Sequence, residues 1–383
     1  MIPYGRQDID RSDIAAVVRV LESDWLTQGP DVEEFEAALA GLCGAAHVVA
    51  ANSATSALHL ACMALDLGPG GLLWTTPITF VASANCGRYC GADVDFVDID
   101  PDTYNLSVDA LAQKLEEADR AGRLPDVVVP VHFAGQSCDM EGIGALAERY
   151  GFRVLEDASH AVGGSYRGEP VGACTYSDAA VFSFHPVKIV TTGEGGAVAT
   201  QDAGIAERVA RLRTHGITRD PALLERPAGG WYYEQIELGW NYRMTCIQAA
   251  LGTSQLRRLA AFLARREQLV ARYDRALGRL PVTTPRVRDD VRSAWHLYVV
   301  RIRPDAGVDR ATVFARMREA GIGVNVHYIP VHLQPYYRAL GFRAGDFPQA
   351  ERYYEEALTL PLYPGLTDAE QDSVVHALEA ALA

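Results

Sequence analysis

Apolar and polar positions alternate, over the first half of the chain, in a pattern of strands separated by helices. HVVAA (47–51) is a short run of β-formers, and SATSALHLACMAL after it has helical spacing. VDFVDI (94–99) leads into SVDALAQKLEEADR, DVVVPV (126–131) leads into DMEGIGALAERYG, and FRVLED (152–157) comes next. AAVFSF (179–184) and GGAVAT (195–200) read as two more apolar strands. Strands alternating with helices predict βαβ units, and hence an α/β fold with a mostly parallel central sheet flanked by helices. A long helical pattern runs from about Thr245 to Leu277 and meets a proline-containing break at Leu280–Pro285. Beyond it, HLYVVRI, TVFARMREAG, a strand-like VNVHYIP and a helix from about Asp368 predict a smaller C-terminal α+β domain. The boundary is expected within the long helix, dividing the chain into residues 1–260 and 261–383.

Ligand sites in open parallel sheets form at the carboxyl ends of the strands. The residues to watch are therefore Asn52–Ser56, Thr75–Phe80, His132–Gln136, Asp157–His160 and Ser183–Lys188.

Composition narrows the field. The chain has 383 residues, 49% hydrophobic and 22% charged, which suits two globular domains. Its 49 acidic against 35 basic residues, a net charge of −14, argue against a broad nucleic-acid or anionic-membrane surface. The opening MIPYGRQDID lacks a cationic stretch followed by an apolar one, and no run approaches the ~18 apolar residues of a membrane span. A cytoplasmic protein is expected. The seven cysteines are odd in number, scattered and without a C-x-x-C, so free thiols are expected and a zinc site finds little support. His327 and His332, five apart in a strand-like segment, are expected on opposite faces, which disfavours a metal pair.

Only two of the 35 basic residues are lysine, Lys114 and Lys188. Arginine has replaced lysine almost wherever a positive charge suffices. A surviving lysine is a candidate for a role that needs an amine, because arginine can neither lose its proton nor form an imine. Lys114, in LAQKLEEADR, fits the duller explanation of a polar helix face. Lys188 lies between a strand and a Gly-rich turn, in FSFHPVKIVTTGEGG (182–196). A P-loop needs Gly before the lysine and Ser or Thr after it, and Val187 and Ile189 exclude that. G-x-G-x-x-G is absent from the first βα turn, and Tyr-x-x-x-Lys is absent because Ala110 and Phe184 stand four before the two lysines. A Schiff-base lysine is what remains. That role needs a buried carboxylate to keep a pyridoxal ring nitrogen protonated, and Asp157 ends a strand 31 residues earlier. Asn52-Ser53-Ala54-Thr55-Ser56, where a strand gives way to a helix, offers free N–H groups to an anion. The alternative there is that Ser53 or Thr55 simply caps the helix.

Over essentially its full length the sequence resembles the DegT/DnrJ/EryC1/StrS sugar aminotransferases, a family of fold-type I pyridoxal 5'-phosphate (PLP) enzymes. The matching stretches are LTQGP (26–30), NSATSALHLA (52–61), TTPITFVASAN (75–85), VHFAGQ (131–136), EDASHAVG (156–163), FSFHPVKIVTTGEGG, LGWNYRMTCIQAALG (238–252) and VHYIPVH (326–332). The resemblance implies that Lys188 is the imine lysine, Asp157 the pyridinium partner and His160 the neighbour of the ring oxygen. It makes Thr55, Ser56 and Ser183 phosphate ligands and Phe80 the aromatic stacked on the ring. Asn241 becomes a phosphate ligand given by a second subunit, which implies a homodimer with shared sites. Tyr4, the stretch Asp24, Trp25, Leu26 and Thr27, and the stretch Asn325, Val326, His327 and Tyr328 resemble sugar-nucleotide contacts. Arg243 is a candidate anchor for the donor's carboxylate or the diphosphate.

IPYG, WTTPITFVASANC and HGITR followed by WYYEQIELG resemble the branch of the family that aminates C4 of UDP-linked 4-keto-6-deoxy-N-acetylhexosamines for pseudaminic acid synthesis, with L-glutamate as donor. C4 or C3 amination of another UDP-, dTDP- or GDP-linked sugar is the alternative, and a non-catalytic regulator a more distant one. C3-deoxygenating relatives carry histidine at the lysine position, which Lys188 disfavours. Two departures stand out: Cys246 replaces a usual acidic residue at the helix start, and Trp240 is bulkier than the usual aromatic, which would reshape the substrate entrance.

Overall fold

The computed structural model describes residues 1–226 and 229–383. Its central sheet has seven strands: β1 (His47–Ala51), β2 (Leu72–Thr75), β3 (Asp93–Phe96), β4 (Val127–Val129), β5 (Arg153–Asp157), β6 (Ala179–Ser183) and β7 (Gly196–Thr200). They lie in the order β1-β7-β6-β5-β4-β2-β3. From β3 through β2, β4 and β5 to β6 the neighbours are parallel. β7 runs antiparallel to both β6 and β1, because β6 and β7 are joined by a loop with no crossover helix. β4, β6 and β7 are buried at every position, as apolar runs sandwiched between helices must be.

Among the described residues eight helices accompany this sheet in chain order: α1 (Arg11–Leu21), α2 (Pro30–Cys43), α3 (Ala54–Ala64), α4 (Ala82–Tyr89), α5 (Val108–Ala121), α6 (Met140–Tyr150), α7 (Ala203–Leu212) and α8 (Cys246–Leu277). Thr245 and Gln248 close a capping box at the start of α8, each accepting the other's backbone N–H. The first part of α8 packs on α1 and α2. Its end, at Leu269, Val270, Tyr273 and Leu277, enters a second core with Tyr298, Val300, Leu358 and Leu378. That core belongs to an antiparallel sheet of Val282–Thr283, Tyr298–Ile302 and Ala357–Leu360, with helices Arg310–Glu319 and Asp368–Leu382 packed against it.

The segment VNVHYIP is not a strand. It touches the small sheet at one bridge, Asn325 with Thr359, and then turns through Pro330 into Val331–Leu333. His327 and His332 accordingly serve different partners, Thr359 Oγ1 at 2.8 Å and Glu351 Oε1 at 2.9 Å. Lys114 also departs from expectation. Its ammonium bonds Phe96 O at 2.5 Å and Asp95 at 2.7 Å beneath the Trp74 ring, and burial lowers its pKa against the pull of Asp95. It holds β3 to α5, which explains its survival without chemistry.

The N-terminal segment is strapped across the molecule. Asp13, fully buried, accepts from Ser254 Oγ (2.6 Å), Gln255 Nε2 (2.7 Å) and Arg258 (2.9 Å). Leu362 N–H donates to Tyr4 O at 3.0 Å, and Ile2 bridges Ile322. All seven cysteines are free thiols. Among the described residues no helix is long and apolar enough to cross a membrane.

Candidate active site

Successive strand residues face opposite sides of a sheet, so the two carboxylates that end β5 part company. Glu156 turns to His132 Nε2 at 2.6 Å and Ser177 Oγ at 2.5 Å. His132 Nδ1 accepts the Cys138 N–H at 3.1 Å, which places the ring proton on Nε2. His132 is thus a satisfied core histidine. Asp157 turns the other way. Ser83 Oγ donates to its Oδ2 at 2.6 Å, and Ser159 N–H to its Oδ1 at 3.1 Å.

Lys188 reaches the same space from the loop after β6. That loop is fixed at its neck, where Phe184 N–H bonds Gly195 O and Thr192 N–H bonds Phe184 O, and Lys188 N–H closes a turn onto His185 O at 2.8 Å. Burial drops the Lys188 amine to about 8, against the attraction of Asp157. A lysine held this close to neutrality is a usable nucleophile and base.

Opposite lies a shelf of uncharged groups. The Ala134 N–H donates to His160 Nδ1 at 3.3 Å, so His160 carries its proton on Nε2, 3.2 Å from the Tyr328 hydroxyl. Gly135 makes this turn possible: its φ is +105°, and a Cβ there would stand 2.6 Å from Trp295 N. Burial first, then the charge of Lys188, pushes His160 well down and His327 to about 3. Phe80 is 58% exposed with its ring 6.3 Å from Tyr328, and Tyr4 lies 5.3 Å from His327. Burial raises the Tyr4 phenol, with Asn325 bonded to it in opposition. Lys188, Asp157, His160, Phe80, Tyr4, Asn325, His327 and Tyr328 are therefore linked as one cluster, with Val326 half-buried in the same segment.

At the other end is the start of α3. Ser53 caps it, accepting the Ser56 N–H at 3.1 Å and meeting Ser56 Oγ at 3.0 Å, so for Ser53 the capping explanation holds. Among the described residues the N–H groups of Ala54 and Thr55 find no acceptor. Gly196 lets β7 approach: a Cβ there would be 2.5 Å from Ala54 N. Ser183 pairs with Gly196 across β6 and β7. Free amides, small hydroxyls, an unstacked aromatic, a carboxylate and a depressed lysine together fit a phosphorylated pyridine aldehyde.

Thr27 and Asn241 make their contacts elsewhere. Thr27 bridges Thr245, Leu26 O accepts the Cys246 N–H, and Asn241 bridges Thr214 at the surface. Trp25 and Leu26 are exposed beside them. Cys246 is fully buried with its sulfur accepting the Gly29 N–H at 3.2 Å, so it ties this loop to α8. Trp240 packs against His59, the ring centroids 4.7 Å apart. Sequence reasoning overlooked Ser83 and gave Thr79, inside the Thr75–Phe80 stretch, no role, although both stand in TTPITFVASAN four residues apart at a strand-to-helix turn. It also overlooked buried His296, whose ring lies 4.4 Å from His160.

Comparison with known proteins agrees along the chain. The profile of the DegT/DnrJ/EryC1/StrS aminotransferase family matches residues 7–379. Spore coat polysaccharide biosynthesis protein SpsC of Bacillus subtilis is 42% identical over 381 residues, covering 98% of this chain and 96% of that protein. The sugar aminotransferase Spr1654 of Streptococcus pneumoniae, solved in its PMP form, superposes with a TM-score of 0.90 at 30% identity, over 100% of this chain and 99% of that one. Helicobacter pylori PseC, described as an aminotransferase of pseudaminic acid biosynthesis, gives a TM-score of 0.90 at 31% identity with the same coverage.

Proposed function

The chain belongs to the DegT/DnrJ/EryC1/StrS family of PLP-dependent sugar aminotransferases, and from that premise we propose that it aminates the C4 ketone of a UDP-linked 4-keto-6-deoxy-N-acetylhexosamine in the cytoplasm, with L-glutamate as donor. The observation that carries the reading is the Lys188 amine, held near neutrality by burial and within the attraction of the Asp157 carboxylate. PLP, when bound, supplies an electron sink and carries the amino group between the half-reactions. Lys188 would hold its aldehyde carbon, Asp157 its ring-nitrogen proton, Phe80 and His160 its ring, and Thr55, Ser56 and Ser183 its phosphate. Lys188 Nζ, once free, is the base for the Cα proton of the donor and returns a proton to C4 of the sugar. The His160, His327 and Tyr328 shelf offers neutral hydrogen-bonding groups, which suits an uncharged hexose. Arg243 suits the donor's carboxylate. PseC supports the pseudaminic branch by likeness. The test is incubation with L-glutamate and each isomer of the UDP-4-keto-6-deoxy-N-acetylhexosamine, followed by assignment of C4 in the product. Turnover of only dTDP- or GDP-linked keto sugars would refute the substrate.

Loading of the apoenzyme should track the neutral fraction of Lys188. Burial disfavours the ammonium, so its titration falls to about 8 from 10.5. The rate at which yellow colour appears after PLP addition is expected to fall about tenfold per pH unit well below 8 and to level off above it. A profile still rising at pH 10 would place Lys188 in water.

We also assign Asn241 to the partner's phosphate. Asn241 is exposed, and Trp231 (76%) and Leu238 (71%) lie bare in the preceding segment, as a covered apolar face requires. Co-expression of Lys188→Ala with Asn241→Asp chains should restore activity. Under two-fold symmetry a mixed dimer holds one pocket with both lesions and one with neither. Two inactive variants that stay inactive when mixed would put Asn241 in its own chain's site.

A further inference from the structure

We propose that Ser83 is a positioning residue for Asp157, and that Thr79 sets the direction of its hydroxyl; the inference rests on the PLP reading above. Ser83 is fully buried in the first turn of α4. Its Oγ faces three oxygens: Asp157 Oδ2 at 2.6 Å, Thr79 Oγ1 at 2.7 Å and Phe80 O at 3.3 Å. A hydroxyl has one proton and two lone pairs, and an ionised carboxylate only accepts. The short, charge-assisted bond takes the Ser83 proton. Thr79 must then donate to Ser83, and the longer contact to Phe80 O receives no proton. The result is a directed chain, Thr79 to Ser83 to Asp157, in which each bond polarises the next.

The duller explanation is a helix cap. It fails on geometry, because Val81 holds the cap position and no side chain caps α4. The chain acts on the carboxylate in two ways. With Ser83 on Oδ2 and the Ser159 N–H on Oδ1, each oxygen has a donor before any ligand arrives, and rotation about Cβ–Cγ is stopped. Donors also favour the ionised form. A proton shared between Asp157 and the cofactor's ring nitrogen therefore stays on the nitrogen. Without Ser83, Asp157 becomes more basic and competes for that proton.

The ring nitrogen itself reports the difference. Wild type, Ser83→Ala, Ser83→Thr and Thr79→Val are each loaded with PLP labelled with nitrogen-15 in the ring, and the nitrogen chemical shift is monitored against pH. Wild type is expected to show a protonated nitrogen throughout. Ser83→Ala should show a resonance displaced toward the unprotonated nitrogen across that range, the proton's partition moving about tenfold toward Asp157, the size of a hydrogen bond to a charged group. Ser83→Thr, which keeps the hydroxyl, should restore the wild-type titration, and Thr79→Val should fall between. A Ser83→Ala titration equal to wild type overturns the proposal, as does a Ser83→Thr variant no better than Ser83→Ala, which would make the effect one of packing. Should Ser83→Ala not fold, Thr79→Val decides alone, since it leaves Ser83 and Asp157 in place: an unchanged shift overturns the proposal. A wild-type enzyme that binds PLP with an unprotonated nitrogen overturns the Ser83 proposal and the role of Asp157, while one that takes up no PLP on Lys188 overturns the functional reading as well.

Discussion

Lys188→Arg is expected to give a folded, colourless protein with turnover below about 1% of wild type, because proton transfer by a positioned group is worth ~10²–10⁴-fold on its own. Arginine keeps the charge and loses the chemistry: it cannot shed a proton at any working pH, so it is neither nucleophile nor base. The surroundings sharpen the effect. Burial makes the lysine a partly neutral amine near pH 8, whereas a guanidinium in the same place stays ionised. His160 and His327, both neutral, cannot compensate it, so it is left to pair with Asp157. Absorbance after PLP addition and single-turnover transfer from L-glutamate read the outcome, and circular dichroism shows that the fold survives. Turnover well above about 1% would remove Lys188 from its role.

Asp157→Asn should still take up PLP on Lys188 but lose the donor half-reaction by on the order of 10²–10³-fold, the scale of loss when one partner of a buried charge pair is removed. The amide is nearly isosteric: its oxygen can still accept the Ser159 N–H while its NH2 faces Ser83 Oγ. It carries no charge, and the groups bonded to that carboxylate, Ser83 Oγ and the Ser159 N–H, are donors that cannot replace it. Stopped-flow mixing with L-glutamate measures the rate. A wild-type rate in the variant would show that ring protonation does not limit proton abstraction.

Much of this site was legible in the sequence, because its main groups sit at strand ends. Alternation of apolar runs and helical stretches located β1, β5 and β6, and the rule that parallel sheets bind ligands at their carboxyl edge singled out Ser53–Ser56, Asp157 and Lys188. The scarcity of lysine pointed to Lys188. What the sequence did not show is the place of Lys114, read as a polar helix face, whose ion pair with Asp95 and bond to Phe96 O need the folded β3 and α5 to exist. Ser83 was hidden for a related reason: it meets a carboxylate 74 residues away, and that distance carries no periodicity. VNVHYIP looked like a strand because its β-branched residues alternate, yet pairing needs a free partner edge, and Ala357–Leu360 offers it a single bridge. The stretches Asp24–Thr27 and Asn241–Arg243 match family motifs, but the contacts of Thr27 with Thr245 and of Asn241 with Thr214 join distant parts of the chain that local sequence does not encode.

The most direct measurement keeps the two half-reactions apart. Purified yellow enzyme mixed with L-glutamate and no sugar should lose its colour and release one equivalent of 2-oxoglutarate per Lys188, then stop. Adding a UDP-4-keto-6-deoxy-N-acetylhexosamine should bring the colour back and yield one equivalent of 4-amino sugar. Colour that L-glutamate leaves unchanged, or that no nucleotide-linked keto sugar restores, would contradict the account.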